Sequence, residues 1–178
     1  ICAYASDNLN KKNHIIAANE GNALAIGIGY HLASGKLPLI YMQNSGLGNC
    51  VNPLLSLADP KVYSVPLLLM IGWRGEPGIK DEPQHKKQGE VTLNLLDVMD
   101  IPYQILSPDT SNEEAHIISN DIVRESLKYS KPHAIIVRKD SFSDYNIKND
   151  NDTTSLLSRE DAIKKIVNCL EGKEIIVS

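Results

Sequence analysis

The sequence predicts an α/β domain built on an open, mostly parallel sheet with helices on both faces. Apolar runs of strand length alternate with stretches of helical spacing, the order that a parallel sheet with crossover helices requires. Residues 65–71 are an almost unbroken apolar run, as in a strand buried on both faces. The polar, glycine-rich stretches of the first half each follow such a run. They therefore gather beyond the carboxyl ends of the strands, where ligands bind in open α/β sheets.

Taken in order, residues 1–9 read as the tail of a helix, and 14–18 as a short apolar strand. Residues 20–34 are rich in Ala and Ile at helical spacing, with Gly35 as the stop. A strand is expected at 37–42 and a helix at 46–57, closed by Asp59-Pro60. After the buried strand, 72–89 lacks periodicity and is dense in Gly, Pro and charge, so it reads as a long functional loop. A helix at 90–99 and a strand at 103–106 follow. Residues 112–129 are an amphipathic helix with Ala115, Ile118, Ile122 and Leu127 among its apolar positions. Residues 133–137 are another buried strand. Asp, Asn, Ser and Lys dominate 140–154, a linker composition. Ser158 can cap a last helix, with Asp161 three residues on and a stop near Gly172, before a terminal strand at 174–178. The expected organisation is a domain over 1–140, a linker over 141–157 and the opening of a second domain over 158–178. With no initiator Met and a closing strand that needs sheet partners, the sequence reads as a fragment.

Composition narrows the function. Of the 178 residues 42% are hydrophobic, enough for a core, so disorder is not expected. The net charge is −4 and the basic residues are scattered, which argues against a nucleic-acid partner. No apolar run is long enough to span a bilayer, so no membrane partner is expected. Cys2, Cys50 and Cys169 are widely spaced and form no metal or disulfide pattern, which favours a reducing cytoplasm. Cys50 reads as a small packed residue. His14, His31, His116 and His133 lack ligand spacing and read as structural, and no metal site is expected in this chain.

Three loops carry the chemistry. Glu20 follows the first apolar run and opens a helix. Alone, it would be a carboxylate at a helix N-terminus, worth up to about 1 kcal/mol through the macrodipole. Its surroundings add to this: residues 19–36 include Glu20, Ala23, Gly29, Tyr30, Ala33, Gly35 and Lys36. The second loop contains Gln43-Asn44-Ser45-Gly46-Leu47-Gly48-Asn49. A dinucleotide fingerprint would need a third Gly at position 51, which is Val. The third loop runs Gly72-Trp73-Arg74-Gly75-Glu76-Pro77-Gly78-Ile79-Lys80-Asp81-Glu82-Pro83-Gln84-His85.

Together these stretches resemble the pyrimidine-binding domain of thiamine diphosphate-dependent 2-keto-acid decarboxylases. The third loop is most similar to the phosphonopyruvate and sulfopyruvate decarboxylases. The resemblance is strongest over 14–88. It implies the thiamine diphosphate-binding fold, thiamine diphosphate as cofactor, and Mg²⁺ held by a diphosphate-binding domain of the same or another chain. A dimer or higher homo-oligomer follows, because the cofactor bridges two domains. By the resemblance, Glu20 hydrogen-bonds a ring nitrogen of the aminopyrimidine and favours its imino tautomer, while Asn44, Ser45, Gly46 and Gly48 lie beside the ring. His85 takes part in proton transfer or substrate orientation, or is an exposed loop histidine. Arg74 and Lys80 bind a phosphonate or sulfonate, or are ordinary surface charge, and Lys86 leans to the latter.

The implied reaction converts phosphonopyruvate to phosphonoacetaldehyde and CO2, with sulfopyruvate as the close alternative. A non-catalytic α/β nucleotide-binding module and a structural subunit completing a partner's cleft are the readings from other classes.

Overall fold

The computed structural model describes residues 1–10, 12–146 and 148, with Asp161, Lys164, Lys165 and Asn168 beyond them. The end of the expected linker, the last helix apart from those four positions, and the closing strand lie outside the described residues. The chain divides into two compact units, one of residues 15–144 and one of residues 1–14 with 145–178. In the second unit, Cys2–Asn8 forms α1. The rings of Tyr4 and Tyr145 meet edge to face at 5.3 Å. The Tyr145 hydroxyl donates to Asp7 Oδ2 at 3.0 Å, and the Lys148 N–H donates to the same oxygen at 2.7 Å.

The unit of residues 15–144 carries the sheet. Its elements are α2 (Glu20–Ser34), β1 (Leu39–Gln43), α3 (Leu47–Pro53), β2 (Leu68–Gly72), α4 (Pro83–Val98), β3 (Tyr103–Leu106), α5 (Asn112–Tyr129) and β4 (His133–Val137). The strands form one parallel sheet in the order β1-β2-β4-β3. The chain steps outward from β1 through β2 to β3, then doubles back to β4. With right-handed crossovers, that reversal places α5 on the face opposite α3 and α4.

Side-chain alternation follows from this. Leu69 and Ile71 of β2 and Ala134 and Ile136 of β4 join the core under α2, α3 and α4, with Leu24, Leu47 and Leu96. Leu68 of β2 and Ile135 and Val137 of β4 face the other way, onto Ile122 of α5. Every residue of β4 is buried, as expected of a strand covered on both faces. Helix ends follow the capping signals. The Asn19 side chain accepts the Asn22 N–H at the head of α2, and Gly35 closes it in a left-handed conformation. Ser111 caps α5 through the Glu114 N–H.

Three expectations are corrected. Residues 14–18 are not a strand: Ile15 and Ile16 are 61% and 84% exposed. A strand exists through its ladder, and the sheet of the described residues offers this segment no partner. The helix expected over 46–57 is broken into a 3₁₀ turn at Asn44–Gly46, α3, and a π-helical turn at Leu54–Ala58. Pro53, which has no N–H to donate, stands at the change of pattern. The long loop ends at Glu82, and α4 begins with Pro83 in its first turn. His85 is therefore helical, not on a loop.

Candidate functional site

The first turn of α2, the segment after β1 and the loop after β2 meet at the carboxyl edge of the sheet. Glu20 is the first residue of α2 and is half-buried. Its Oε2 accepts a hydrogen bond from Asn49 Nδ2 of α3 at 2.9 Å. That bond, with the Glu20 backbone N–H, holds the carboxyl below its ordinary value. A carboxylate has roughly four lone-pair sites, so these donors leave room for another partner.

Gly46 lies against this carboxylate. A Cβ at position 46 would overlap Cγ and Cδ of Glu20 and approach Oε1 to 2.5 Å. The backbone of Gly46 has φ −82° and ψ −10°, open to any residue. Glycine is thus required here for room rather than for conformation. Gly48 is exposed, and nothing lies within 4 Å of where its Cβ would stand. Gly46→Ala is expected to keep the melting temperature close to the parent's, because the displaced atoms belong to a partly exposed side chain and not to backbone. It should also break the Asn49 contact and move the Glu20 titration upward, as followed by ¹³C NMR of the carboxyl carbon.

Asn44 takes a different position from the one the sequence suggested. It is 4% exposed and turned into the protein. Its Nδ2 donates to the Arg74 carbonyl at 2.8 Å and to Thr92 Oγ1 at 2.9 Å, and its Oδ1 accepts the Arg74 N–H at 3.0 Å. Asn44 therefore clasps the segment after β1 to the loop after β2 and to α4. Ser45 Oγ donates to Gln43 Oε1 at 2.8 Å.

The loop of residues 73–82 is tied down at both ends, with 77–80 exposed between them. Trp73 Nε1 donates to the Gly89 carbonyl of α4 at 3.0 Å. Arg74 forks onto Asp81, Nε to Oδ2 at 2.8 Å and Nη2 to Oδ1 at 2.5 Å. Asp81 also accepts the Gly75 and Glu82 N–H groups at 2.7 and 2.8 Å. The Arg74 guanidinium, foremost, holds the Asp81 carboxyl well below the usual carboxylate range. Glu76 pairs with Arg138 at the end of β4, at 2.8 Å. Of the two cations the sequence offered for an anionic substrate, Arg74 is thus committed to the loop. Lys80 is exposed and makes no ion pair among the described residues. His85 sits in the first turn of α4, with its Nδ1 buried and lacking a hydrogen-bond partner among the described residues.

The structure brings Glu20 and Gly46 together, leaves Gly48 exposed two residues on, and puts Arg74, Lys80 and His85 on and beside the braced loop. Asn49, which touches Glu20 directly, was not among the sequence candidates. Only its place in the loop string, within one helical turn of Gly46, could have signalled it. Cys50 is fully buried, and burial together with the Glu20 charge pushes its thiol up to about 11, so it stays protonated. His133 is buried, with Nδ1 at 3.1 Å from the Lys131 carbonyl. His31 and His116 make local contacts, at 2.9 Å to the Lys36 carbonyl and 3.0 Å to the Asn120 amide. Among the described residues, no helix is long and apolar enough to cross a membrane.

Comparison with known proteins agrees with this fold. A family model described as thiamine pyrophosphate enzyme, N-terminal TPP binding domain, matches residues 2–99. Phosphonopyruvate decarboxylase of Streptomyces viridochromogenes is 39% identical over 118 residues, covering 63% of this chain and 29% of that protein. That of Streptomyces hygroscopicus is 35% identical over 136 residues, 72% of this chain and 33% of the relative. Sulfopyruvate decarboxylase subunit alpha of Methanococcus maripaludis is 35% identical over 142 residues, 76% of this chain and 81% of the subunit. The chain spans a third or less of the length of the phosphonopyruvate decarboxylases it matches.

Proposed function

Since this chain belongs to the thiamine pyrophosphate enzymes, as their N-terminal TPP-binding domain, we propose that it supplies the pyrimidine-binding half of a phosphonopyruvate decarboxylase site. The carrying observation is the Glu20 carboxylate, fixed over the bare backbone of Gly46 by Asn49. A flat, nitrogen-bearing ring suits that setting. It needs one hydrogen-bonding carboxylate at its edge and no side chain beneath it.

In this reading Glu20 holds a proton shared with a ring nitrogen of the aminopyrimidine. Gly46 makes room for that carboxylate, the exposed Gly48 offers backbone without a side chain to the ring, and Asn44 keeps their segment in register with the loop after β2. Ser45 contributes backbone beside the ring while its hydroxyl stays on Gln43. Thiamine diphosphate, when bound, supplies the electron sink for loss of the carboxylate. Mg²⁺ and the diphosphate belong to a diphosphate-binding domain of the same or another chain. The complete enzyme is a cytoplasmic dimer or larger assembly. Residues 1–140 form the pyrimidine-binding domain, 141–157 the linker, and 158–178 the opening of the domain that follows.

Lys80 is the cation left to meet the phosphonate, with Arg74 fixing the loop that presents it. His85 orients the substrate or moves a proton from the head of α4. Sulfopyruvate is the second substrate reading. It is favoured by the match over 81% of a sulfopyruvate decarboxylase alpha subunit, whose name implies a partner subunit.

The test is CO2 release by the complete enzyme, this chain with its diphosphate-binding partner, given each acid in turn. Faster turnover of phosphonopyruvate is expected. Lys80→Ala should raise its KM roughly tenfold or more, the worth of a charge-assisted hydrogen bond, with little change in kcat. Turnover of neither acid would overturn the assignment. Preference for sulfopyruvate would move it to the second reading.

A further inference from the structure

We propose that Asn49 is a positioning residue for Glu20, its carboxamide clasping Oε2 while Oε1 lies over Gly46. The inference rests on the role given to Glu20 above and extends it to a second side chain. A glutamate at the head of a helix has three side-chain torsions and no fixed direction of its own. Here two contacts remove that freedom: the 2.9 Å bond from Asn49 Nδ2, and the bare backbone of Gly46 on which the carboxylate rests.

Asn49 is itself placed by backbone packing. Its carbonyl lies 2.9 Å from where a Cβ on Gly21 would stand, so the first turn of α2 abuts α3 directly. The separation of Asn49 from Glu20 is therefore set by two helices in contact. Chemistry also favours an amide. It donates to the carboxylate without adding charge, so the group stays ionised yet can still take up a proton from a ring nitrogen. An aspartate would repel it, and a lysine would trap it as the anion. The bond is exposed in this chain alone and strengthens as neighbouring groups exclude water from it.

Asn49→Ala, Asn49→Asp and Asn49→Gln test this in two ways. In this chain, the Glu20 carboxyl is titrated by ¹³C NMR. The Ala variant should titrate higher than the parent, Asp higher still, and Gln, which keeps a donor, nearest to it. In the complete enzyme, Asn49→Ala should lower kcat roughly tenfold to a hundredfold, as small misplacements of reacting groups do. KM for the keto acid should barely move, and the acid limb of the kcat profile should rise in pH with the Glu20 titration. Melting temperatures should match the parent's, since Asn49 is exposed.

An unchanged Glu20 titration in Asn49→Ala would overturn the proposal. A fall in kcat without movement of the acid limb would do the same. Turnover that depends on Glu20 but ignores Asn49 defeats only this inference, whereas turnover indifferent to Glu20→Gln defeats the reading beneath it.

Discussion

Glu20→Gln in the complete enzyme is expected to lower kcat by about a hundredfold to ten-thousandfold, the range lost with a positioned acid–base group. The substitution preserves length and volume. Its amide oxygen can still accept the Asn49 N–H that Glu20 Oε2 now receives at 2.9 Å. Fold and melting temperature should therefore be unchanged, and the loss isolates the charge and the exchangeable proton. Glu20→Asp keeps the charge but withdraws it by one methylene from Gly46, and should cost about a hundredfold through misplacement. The pH dependence follows from the sign of the shift. Because the Asn49 hydrogen bond lowers the carboxyl's pKa, the ionised form persists below the ordinary glutamate range. Activity that needs the carboxylate should thus fade only as the pH drops through that lowered value. Steady-state CO2 release and circular dichroism melts on the same samples decide the matter. Full turnover by a well-folded Glu20→Gln enzyme would remove the carboxylate from the chemistry.

Most of the sheet was legible because its signals are local. The bounds read for β3, α2, α5 and β4 are those observed: α2 and α5 are set by caps or a glycine stop, β4 by an apolar run, and β3 by the prolines that flank it. The errors fall where structure depends on distant partners. Residues 14–18 have the composition of a strand, yet pairing is a property of two segments, and one sequence window cannot supply the other. The start of α4 was hidden because residues 84–90 carry Lys, Gln and Gly at positions that face solvent or backbone. Its one local signal, Pro83 after Glu82, marks a helix start that periodicity alone passes over. At the candidate site, the motif named Glu20 and Gly46, which the structure brings into contact. The inward turn of Asn44 and the pairing of Arg74 with Asp81 could not be read from it, because both are set by contacts 30 and 7 residues away in sequence. A cation in a charged loop reads the same whether it faces a substrate or a neighbouring carboxylate.

Gly89→Ala is expected to destabilise the chain strongly, although helix propensity alone would have it stabilise. Gly89 lies inside α4, where Ala is favoured over Gly by about 1 kcal/mol. A Cβ there would overlap the carbonyl of Gly75 and stand 2.7 Å from that of Arg74. These are backbone atoms of the braced loop, not the yielding end of a side chain. Gly75, at φ 66°, is equally confined, since its own Cβ would meet the His85 carbonyl. Two backbones therefore touch with no side chain between them, and the Trp73 Nε1 to Gly89 bond closes over the contact. To admit a methyl group the loop must lift from the helix, straining the Asn44 clasp and the Arg74–Asp81 fork at once. Overpacking of this kind costs roughly 1–3 kcal/mol, more where hydrogen bonds go with it. That exceeds the propensity gain and should lower Tm by about 5 °C or more. Gly29→Ala in α2 is the control, because nothing lies within 4 Å of its added Cβ. There propensity is unopposed, and Tm should rise by a few degrees. Calorimetry that moved both variants upward would show that the loop does not rest on α4, and the bracing of the segment that carries Lys80 would go with it.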